Sequence, residues 1–320
     1  MVITHPFKSL KNIVLERLNL FDVTECSRLF HGRGGCYPGL EAINVDKFAS
    51  VLVVIVYQHL TDMHLLEQEM RDLLALSDHA THLAFQYRFV SPAQWYWPDD
   101  RIDHCIGTES GCTYQFRFDV QNPGLFLDMA AGRAWVRHHG AGKRIANLFS
   151  YTCGFSVVAN AAGCAETVNF DMSRSALNIG RGNLRLNQAD MSTHKMFSHD
   201  ILKSLGKITR LSPFDLIIID PPVRQRSFDP INGYKRLLGR VDQWLDDGGQ
   251  LLLTMNEPRV SMVEFRELIE TVLTDAFVFQ RRLAPARFVE EVNADFGLKI
   301  ALYQKNPPVI LTGNTLKGPW

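Results

Sequence analysis

From Thr113 onward, short apolar runs alternate with amphipathic stretches in a steady rhythm. The predicted order is strand 114–118, helix 126–139, strand 144–149, helix 155–162, strand 167–170 and helix 173–186. Strands 195–198 and 216–219, helix 234–245, strand 250–255 and helix 260–273 follow. Alternation of this kind builds a parallel sheet with helices on both faces. Two closing strands, 277–283 and 298–304, have no helix between them, which predicts one antiparallel strand at the sheet edge. The run Phe214-Asp-Leu-Ile-Ile-Ile-Asp-Pro-Pro222 has the continuous apolar character of a strand buried on both faces.

The first hundred residues are patterned differently. A helix is expected near 10–20 and a glycine-rich loop over 30–39. Residues 44–57 read as a strand pair or one long strand, and 62–76 as an amphipathic helix. Residues 92–103, with Trp95, Tyr96 and Trp97, read as a connector whose aromatics pack between two domains. The expected division is a smaller α+β domain over 1–110, a larger α/β domain over 111–310 and a tail over 311–320, each domain with its own core.

Composition narrows the function classes. Lys plus Arg and Asp plus Glu both number 34, but residues 1–115 hold 9 basic against 14 acidic, leaving 25 against 20 in 116–320. The second half is therefore the better candidate for meeting phosphates. The six cysteines, Cys26, Cys36, Cys105, Cys112, Cys153 and Cys164, show no C-x-x-C and no regular spacing, which argues against a disulfide framework or a metal site. The longest apolar run, 48–57, is about half of what a spanning helix needs, and no signal pattern opens the chain. A soluble cytoplasmic protein without membrane or metal partner is expected; a homodimer is left open.

The chemistry gathers at strand ends, where open α/β sheets bind ligands. One strand ends in Asp220, stiffened by Pro221 and Pro222. Another leads into Asn147-Leu-Phe-Ser-Tyr-Thr-Cys-Gly-Phe155, a small polar loop opening a helix. A third ends in Asp171, followed by Met172 and a Ser173 N-cap, and a fourth in His199-Asp200. Asp171, ending the strand after the one that leads into this loop, suits ribose hydroxyls, and Asp200 suits an adenine amino group. A nicotinamide dinucleotide needs a glycine-rich loop for its pyrophosphate, whereas this loop has one glycine beside Ser150, Tyr151 and Thr152. S-adenosylmethionine carries no phosphate and tolerates the bulkier loop.

Asn147-Leu-Phe-Ser-Tyr-Thr-x-Gly-Phe-Ser156, Asp171-Met-Ser, His199-Asp200 and Asp220-Pro-Pro together resemble the class I S-adenosylmethionine-dependent methyltransferases related to bacterial 23S rRNA methyltransferases. The similar enzymes are the cytosine-C5 enzyme and the guanine-N7 domain of the K/L fusion enzyme. The resemblance covers about 110–305, and Phe30-His-Gly-Arg-Gly with Tyr37-Pro-Gly-Leu-Glu41 is similar to the front of an uncharacterised branch. It implies a Rossmann-like seven-stranded sheet of order 3-2-1-4-5-7-6. It implies S-adenosylmethionine held by Asn147, Phe149, Ser150, Tyr151, Thr152, Gly154, Asp171, Met172 and Asp200, with Asp220 facing the transferred methyl. Gly124-Leu-Phe-Leu-Asp128…Arg133 resembles the family's segment against the cofactor's amino-acid end, which adds Phe126, Asp128 and Arg133; the family's first arginine there is Ala130 here.

Two departures bear on the acceptor. Cytosine-C5 relatives carry a nucleophilic cysteine after the fifth strand, where this chain reads Leu253-Thr-Met-Asn-Glu-Pro258. Without a thiolate the covalent step of C5 methylation is missing. Relatives also place an aromatic just after Asp-Pro-Pro, whereas Val223-Arg-Gln-Arg-Ser-Phe228 stands here, leaving Phe228, Arg224 and Arg226 as candidates to meet a base or phosphate. The expected activity is methyl transfer to a base of rRNA, at nitrogen rather than cytosine C5, with Asp220 and Asn256 contacting the acceptor. Alternatives are a protein or small-molecule acceptor, or a cofactor-binding RNA module without turnover. Plainer roles suit Cys153 (packing), His138-His139 (a solvated helix end), the 30–40 loop (a connector first, a substrate contact second) and Arg281, Arg282 and Arg287 (an exposed edge).

Overall fold

Residues 5–224 and 228–306 are described by the structure, a computed structural model; Arg226 and the 311–320 tail lie outside the described residues. The chain opens with α1 (Pro6–Leu18), β1 (Ser27–His31), β2 (Ile43–Phe48), β3 (Val51–Val56), α2 (Met63–Leu74), β4 (His82–Tyr87) and β5 (Gln94–Tyr96). These five strands form one sheet in sequence order. α2 carries the chain back between β3 and β4, which are parallel; the other pairs are antiparallel. Residues 44–57 are thus a hairpin turning at Ala49 (φ 50°), not one strand. The 92–103 connector supplies a short edge strand. From it Trp95 and Trp97 each meet Phe118 edge-on, at 5.7 and 5.6 Å, while Tyr96 turns to Tyr87 on the other side.

β6 (His104–Glu109) and β7 (Cys112–Arg117) pair as an isolated hairpin. The strand expected at 114–118 is therefore not part of the large sheet. Its partner was missed because 104–109 does not alternate: Ile106 is exposed and Glu109 buried. The domain boundary expected at 110/111 falls in the turn between these paired strands. One apolar core runs from Phe48, Val53 and Ile55 through Tyr114 and Phe116 to Val157, Leu216 and Leu252 and joins the two parts. Each part also holds a core of its own, around Leu10, Val54 and Leu66 in the first and Ile217, Val241 and Phe265 in the second.

The remaining elements are α3 (Ala130–His139), β8 (Arg144–Leu148), α4 (Gly154–Ala161), β9 (Glu166–Asp171), α5 (Arg174–Leu186), β10 (His194–Ser198), α6 (Leu205–Leu211), β11 (Phe214–Ile219), α7 (Pro230–Trp244), β12 (Leu245–Met255), α8 (Met262–Val272), β13 (Phe277–Arg282) and β14 (Lys299–Lys305). The seven strands lie in the order β10-β9-β8-β11-β12-β14-β13. β14 runs antiparallel to both neighbours, so the reversed strand is the one inside the edge, not the edge strand itself. β11 is central, and all but Asp215 of its residues are buried. Ser173 caps α5 as expected, accepting from Ala176 N at 3.2 Å, and a Ser261–Glu264 capping box opens α8.

The glycine-rich loop is a clasp. A Cβ on Gly34 would stand 1.8 Å from the Glu290 carbonyl, so only glycine permits this approach. Val292 N donates to Gly34 O at 2.8 Å, Arg17 and Tyr37 bind the Glu290 carboxylate, and His31 meets Glu291 at 3.1 Å. The return segment between β13 and β14 is thereby tied to the first sheet.

Candidate active site

Strand register puts the chemistry on one rim. Leu148 pairs with Phe170 on one side and Ile219 on the other, and Ile219 pairs with Leu253. One residue further on, Asp171, Phe149, Asp220 and Thr254 stand level across four adjacent strands. At about 4.8 Å per strand, Asp171 and Asp220 lie roughly 10 Å apart.

Between them the loop after β8 makes its turn without glycine. Phe149, Tyr151 and Cys153 adopt left-handed backbone (φ 61°, 47° and 60°), a conformation costing about 1–3 kcal/mol per residue and concentrated at functional sites. Ser150 N donates to Phe170 O at 2.9 Å, Tyr151 N to Asp171 Oδ2 at 2.8 Å and Cys153 N to Ser150 O at 2.7 Å, which holds the turn. The Tyr151 hydroxyl donates to Asn122 O at 2.6 Å, and its ring lies 5.5 Å from that of Phe126. Cys153 is fully buried against Gly180, where a Cβ would come within 2.5 Å of its sulfur. Packing is its role.

Asp171 also accepts from Ser173 N at 2.7 Å; burial raises its pKa while these two N–H groups lower it. Met172 is 69% exposed beside it. Asp200 caps the turn after β10 through Leu202 N at 3.0 Å. Phe228 does not stand free to meet a base: it packs 5.3 Å from Phe149 and against Gly233. Arg224 is bound to Asp229 at 2.5 Å.

Asp220 follows β11 half-buried, with Pro221 buried behind it. Thr254 Oγ1 donates to its carboxylate at 2.5 Å. Burial pushes the Asp220 pKa up to about 6 against the pull of that hydrogen bond, and the nearby Asp128 charge pushes the same way as burial. The Tyr234 hydroxyl fixes β12 from below, accepting from Thr254 N at 3.0 Å. Two residues beyond Thr254, exposed Asn256 lines a cleft of about 210 Å³ with Phe126, Asp128 and Pro258, and the first sheet forms its far wall. Lys299 shapes this cleft from beneath. Fully buried, its ammonium donates to the carbonyls of Glu257, Phe296 and Gly297 at 3.1, 3.3 and 2.8 Å.

Three residues expected at the cofactor have their polar side-chain donors turned to interior partners. Asn147 is wholly buried, its Nδ2 donating to Ser156 and Asn169, both at 3.1 Å, in a polar seam between β8, β9 and α4. The Thr152 hydroxyl is buried and donates to the Gly124 carbonyl. Arg133 is 3% exposed and gives its guanidinium to Glu109 at 2.5 and 2.6 Å and to Phe126 O at 2.9 Å. In each case a buried partner has taken the donor group, although Asn147 Oδ1 is buried without a hydrogen-bond partner among the described residues. Gly154 serves by its size, since a Cβ there would approach Leu125 to 2.8 Å. Sequence reasoning missed Thr254, Lys299 and Glu109. The available signal was a lone polar residue within an apolar strand pattern, as in Leu-Leu-Leu-Thr-Met and Leu-Lys-Ile-Ala-Leu.

Among the described residues, no three His, Cys, Asp or Glu side chains converge on a metal position, and no helix is long and apolar enough to cross a membrane. His138 and His139 close α3 by bonding the carbonyls of Ala134 and Trp135. Arg282 bonds the carbonyls of Ala294 and Leu298, and Arg287 lies over Phe21 and Phe288.

The chain is 28% identical to a ribosomal RNA large subunit methyltransferase of Deinococcus radiodurans, over 87% of this chain and 71% of that one. It is 34% identical to ribosomal RNA large subunit methyltransferase I of Escherichia coli, over 54% of this chain and 44% of that one, so it spans less than half of that relative. SMU.776, crystallised with S-adenosylhomocysteine, shares the fold at a TM-score of 0.80 and 21% identity, over 93% of this chain and 80% of that one. The sequence profile of the S-adenosylmethionine-dependent methyltransferases matches residues 27–304, and the chain belongs to that family.

Proposed function

We propose that this methyltransferase modifies a base of ribosomal RNA, at a ring or amino nitrogen and not at cytosine C5. The observation carrying this reading is the Asp220 carboxylate on the rim beside a cleft that no cysteine lines. C5 transfer needs a thiolate to attack the pyrimidine ring. Burial pushes the thiols of Cys105 and Cys153 up to about 12 and that of Cys164 to about 11, which makes them poor nucleophiles even where a ligand could reach them. A nitrogen acceptor needs only an aligned lone pair and somewhere for its proton to go. The names of the curated relatives support RNA as the substrate class.

The residues suit the cofactor: Asp171 at the end of β9, a loop with one glycine where a pyrophosphate needs several, and Asp220 two strands away. S-adenosylmethionine supplies a methyl group made electrophilic by its sulfonium. Asp171 would accept the ribose hydroxyls, Asp200 and Met172 would flank the adenine, Phe149, Ser150 and Tyr151 would line the bend, and Phe126 with Asp128 would meet the amino-acid end. Replacing Asp171 by Asn is expected to weaken S-adenosylhomocysteine binding about 10–100-fold, as loss of charged hydrogen bonds implies; calorimetric titration reads this directly.

Asp220 accepts a hydrogen bond from the acceptor nitrogen or its neighbour and takes up the proton as transfer proceeds. Holding the acceptor in line supplies about 7–11 kcal/mol of the barrier, so few further groups are needed. The carboxylate works ionised. Activity is therefore full above its pKa and falls as the pH drops through about 6. Thr254→Val removes the bond that lowers this pKa and moves the acidic limb of kcat/KM upward by about one pH unit; an unmoved limb would assign the limb to another group. The reading as a whole is tested by mass spectrometry of rRNA nucleosides from cells lacking the gene. One methylated base should disappear, and an unchanged profile would remove rRNA as the substrate.

A further inference from the structure

The cleft carries charges that, Asp128 apart, the methyl-transfer machinery does not use. Six ionised side chains besides His31 face it: Arg28, Arg33, Arg88, Asp46, Asp128 and Glu291. All three carboxylates have partners. Arg28 pairs with Asp46 at 2.7 Å and reaches Asp128 at 3.4 Å, and Glu291 meets His31 at 3.1 Å. Arg33 and Arg88 have no carboxylate partner among the described residues. Arg33 is exposed on the clasp loop, its guanidinium carbon 4.4 Å above the centre of the Tyr57 ring. Arg88 lies 5.8 Å from the same ring and is steered by neutral acceptors, Gln86 Oε1 at 2.6 Å, Gln121 O at 3.0 Å and Asn122 Oδ1 at 3.2 Å. Asn44, buried, donates to the Tyr57 hydroxyl at 3.4 Å and fixes the ring.

We infer that Arg33 and Arg88, ordered on Tyr57, form a phosphodiester subsite for single-stranded RNA, gripping the strand that flanks the base delivered to Asp220. This rests on the reading of the enzyme as an RNA methyltransferase. Two uncompensated cations held rigidly by an aromatic ring suit a phosphate with a stacked base edge, since guanidinium planes both bind phosphate and stack on bases. The location fits such a grip, because Asn256 and Asp128 line the same cleft, and Asp220 lies near Asp128 and bonds Thr254, two residues before Asn256. The first sheet thus takes part in substrate binding, although the N-terminal portion of the chain carries the net acidic charge.

The test uses the full chain and a fluorescein-labelled single-stranded RNA of about 12 nucleotides, a length within the range such grooves engage. Anisotropy is followed across a salt series, with S-adenosylhomocysteine affinity and thermal midpoint as controls. Arg33→Gln and Arg88→Gln should each weaken binding about fivefold near 0.1 M salt and lower the slope of log affinity against log salt by about 0.7, the share of one single-strand phosphate. Tyr57→Leu should weaken binding and leave the slope closer to wild type, because it disorders the cations without removing them. Cofactor affinity should not move in any of the three. Arginine variants with wild-type affinity and slope would overturn the subsite while leaving RNA methylation standing. A wild-type chain that neither binds nor methylates any RNA would instead overturn the functional reading beneath it.

Discussion

Asp220→Asn is expected to lower turnover by about 10²–10⁴-fold while S-adenosylhomocysteine binds with wild-type affinity. That range is what a positioned proton acceptor contributes. The amide keeps the shape of the carboxylate and can still meet Thr254, so β11, its Pro221-Pro222 stop and the level rim of strand ends should persist. It loses the charge that receives the acceptor's proton. The comparison to make is single-turnover transfer of a labelled methyl by wild type and variant at saturating RNA. Equal rates would show that the acid only shapes the pocket. A loss of cofactor affinity equal to the loss of rate would place it among the binding residues.

Glu109→Ala is expected to destabilise the fold by about 3–5 kcal/mol, the usual consequence of stranding one partner of a buried ion pair. Glu109 and Arg133 are 5% and 3% exposed, and the pair joins the β6–β7 hairpin to α3. Because Arg133 also holds the Phe126 carbonyl, the freed guanidinium would loosen the segment that presents Phe126 and Asp128 to the cleft. Urea unfolding measures the first effect. The double variant Glu109→Gln with Arg133→Met, which leaves no unpaired charge, should recover much of the lost stability. A single variant as stable as wild type would mean that water reaches the pair in solution.

Much of this site was legible in the sequence because strand ends are. A run such as 214–222 states its burial by composition and its terminus by two prolines, and open sheets place ligands beyond such termini. Asp171, Asp200 and Asp220 follow from that logic alone. The motif could not state which way each side chain turns. Asn147, Thr152 and Arg133 lie within or beside the motif, but interior partners at Asn169, Gly124 and Glu109 claim their donor groups. Those partners lie 22–28 residues away in sequence, with no local signature. The shared core and the clasp of Gly34 on Glu290 were invisible for the same reason, and β6 escaped because its burial does not follow a period of two. The missing helix between the closing strands announced one reversed strand but put it at the edge. The order 3-2-1-4-5-7-6 implied by the resemblance is the one observed, because a return segment as long as 283–298 allows β14 to insert between β12 and β13.

Asp220 as the acid that receives a nitrogen-bound proton is the claim on which the rest depends. It is tested most directly by incubating the purified chain with methyl-labelled S-adenosylmethionine and ribosomal RNA from cells lacking the gene, then digesting to nucleosides and locating the label. Label on a base nitrogen, absent with Asp220→Asn, is the predicted result. Label on cytosine C5, or undiminished label with Asp220→Asn, would contradict it.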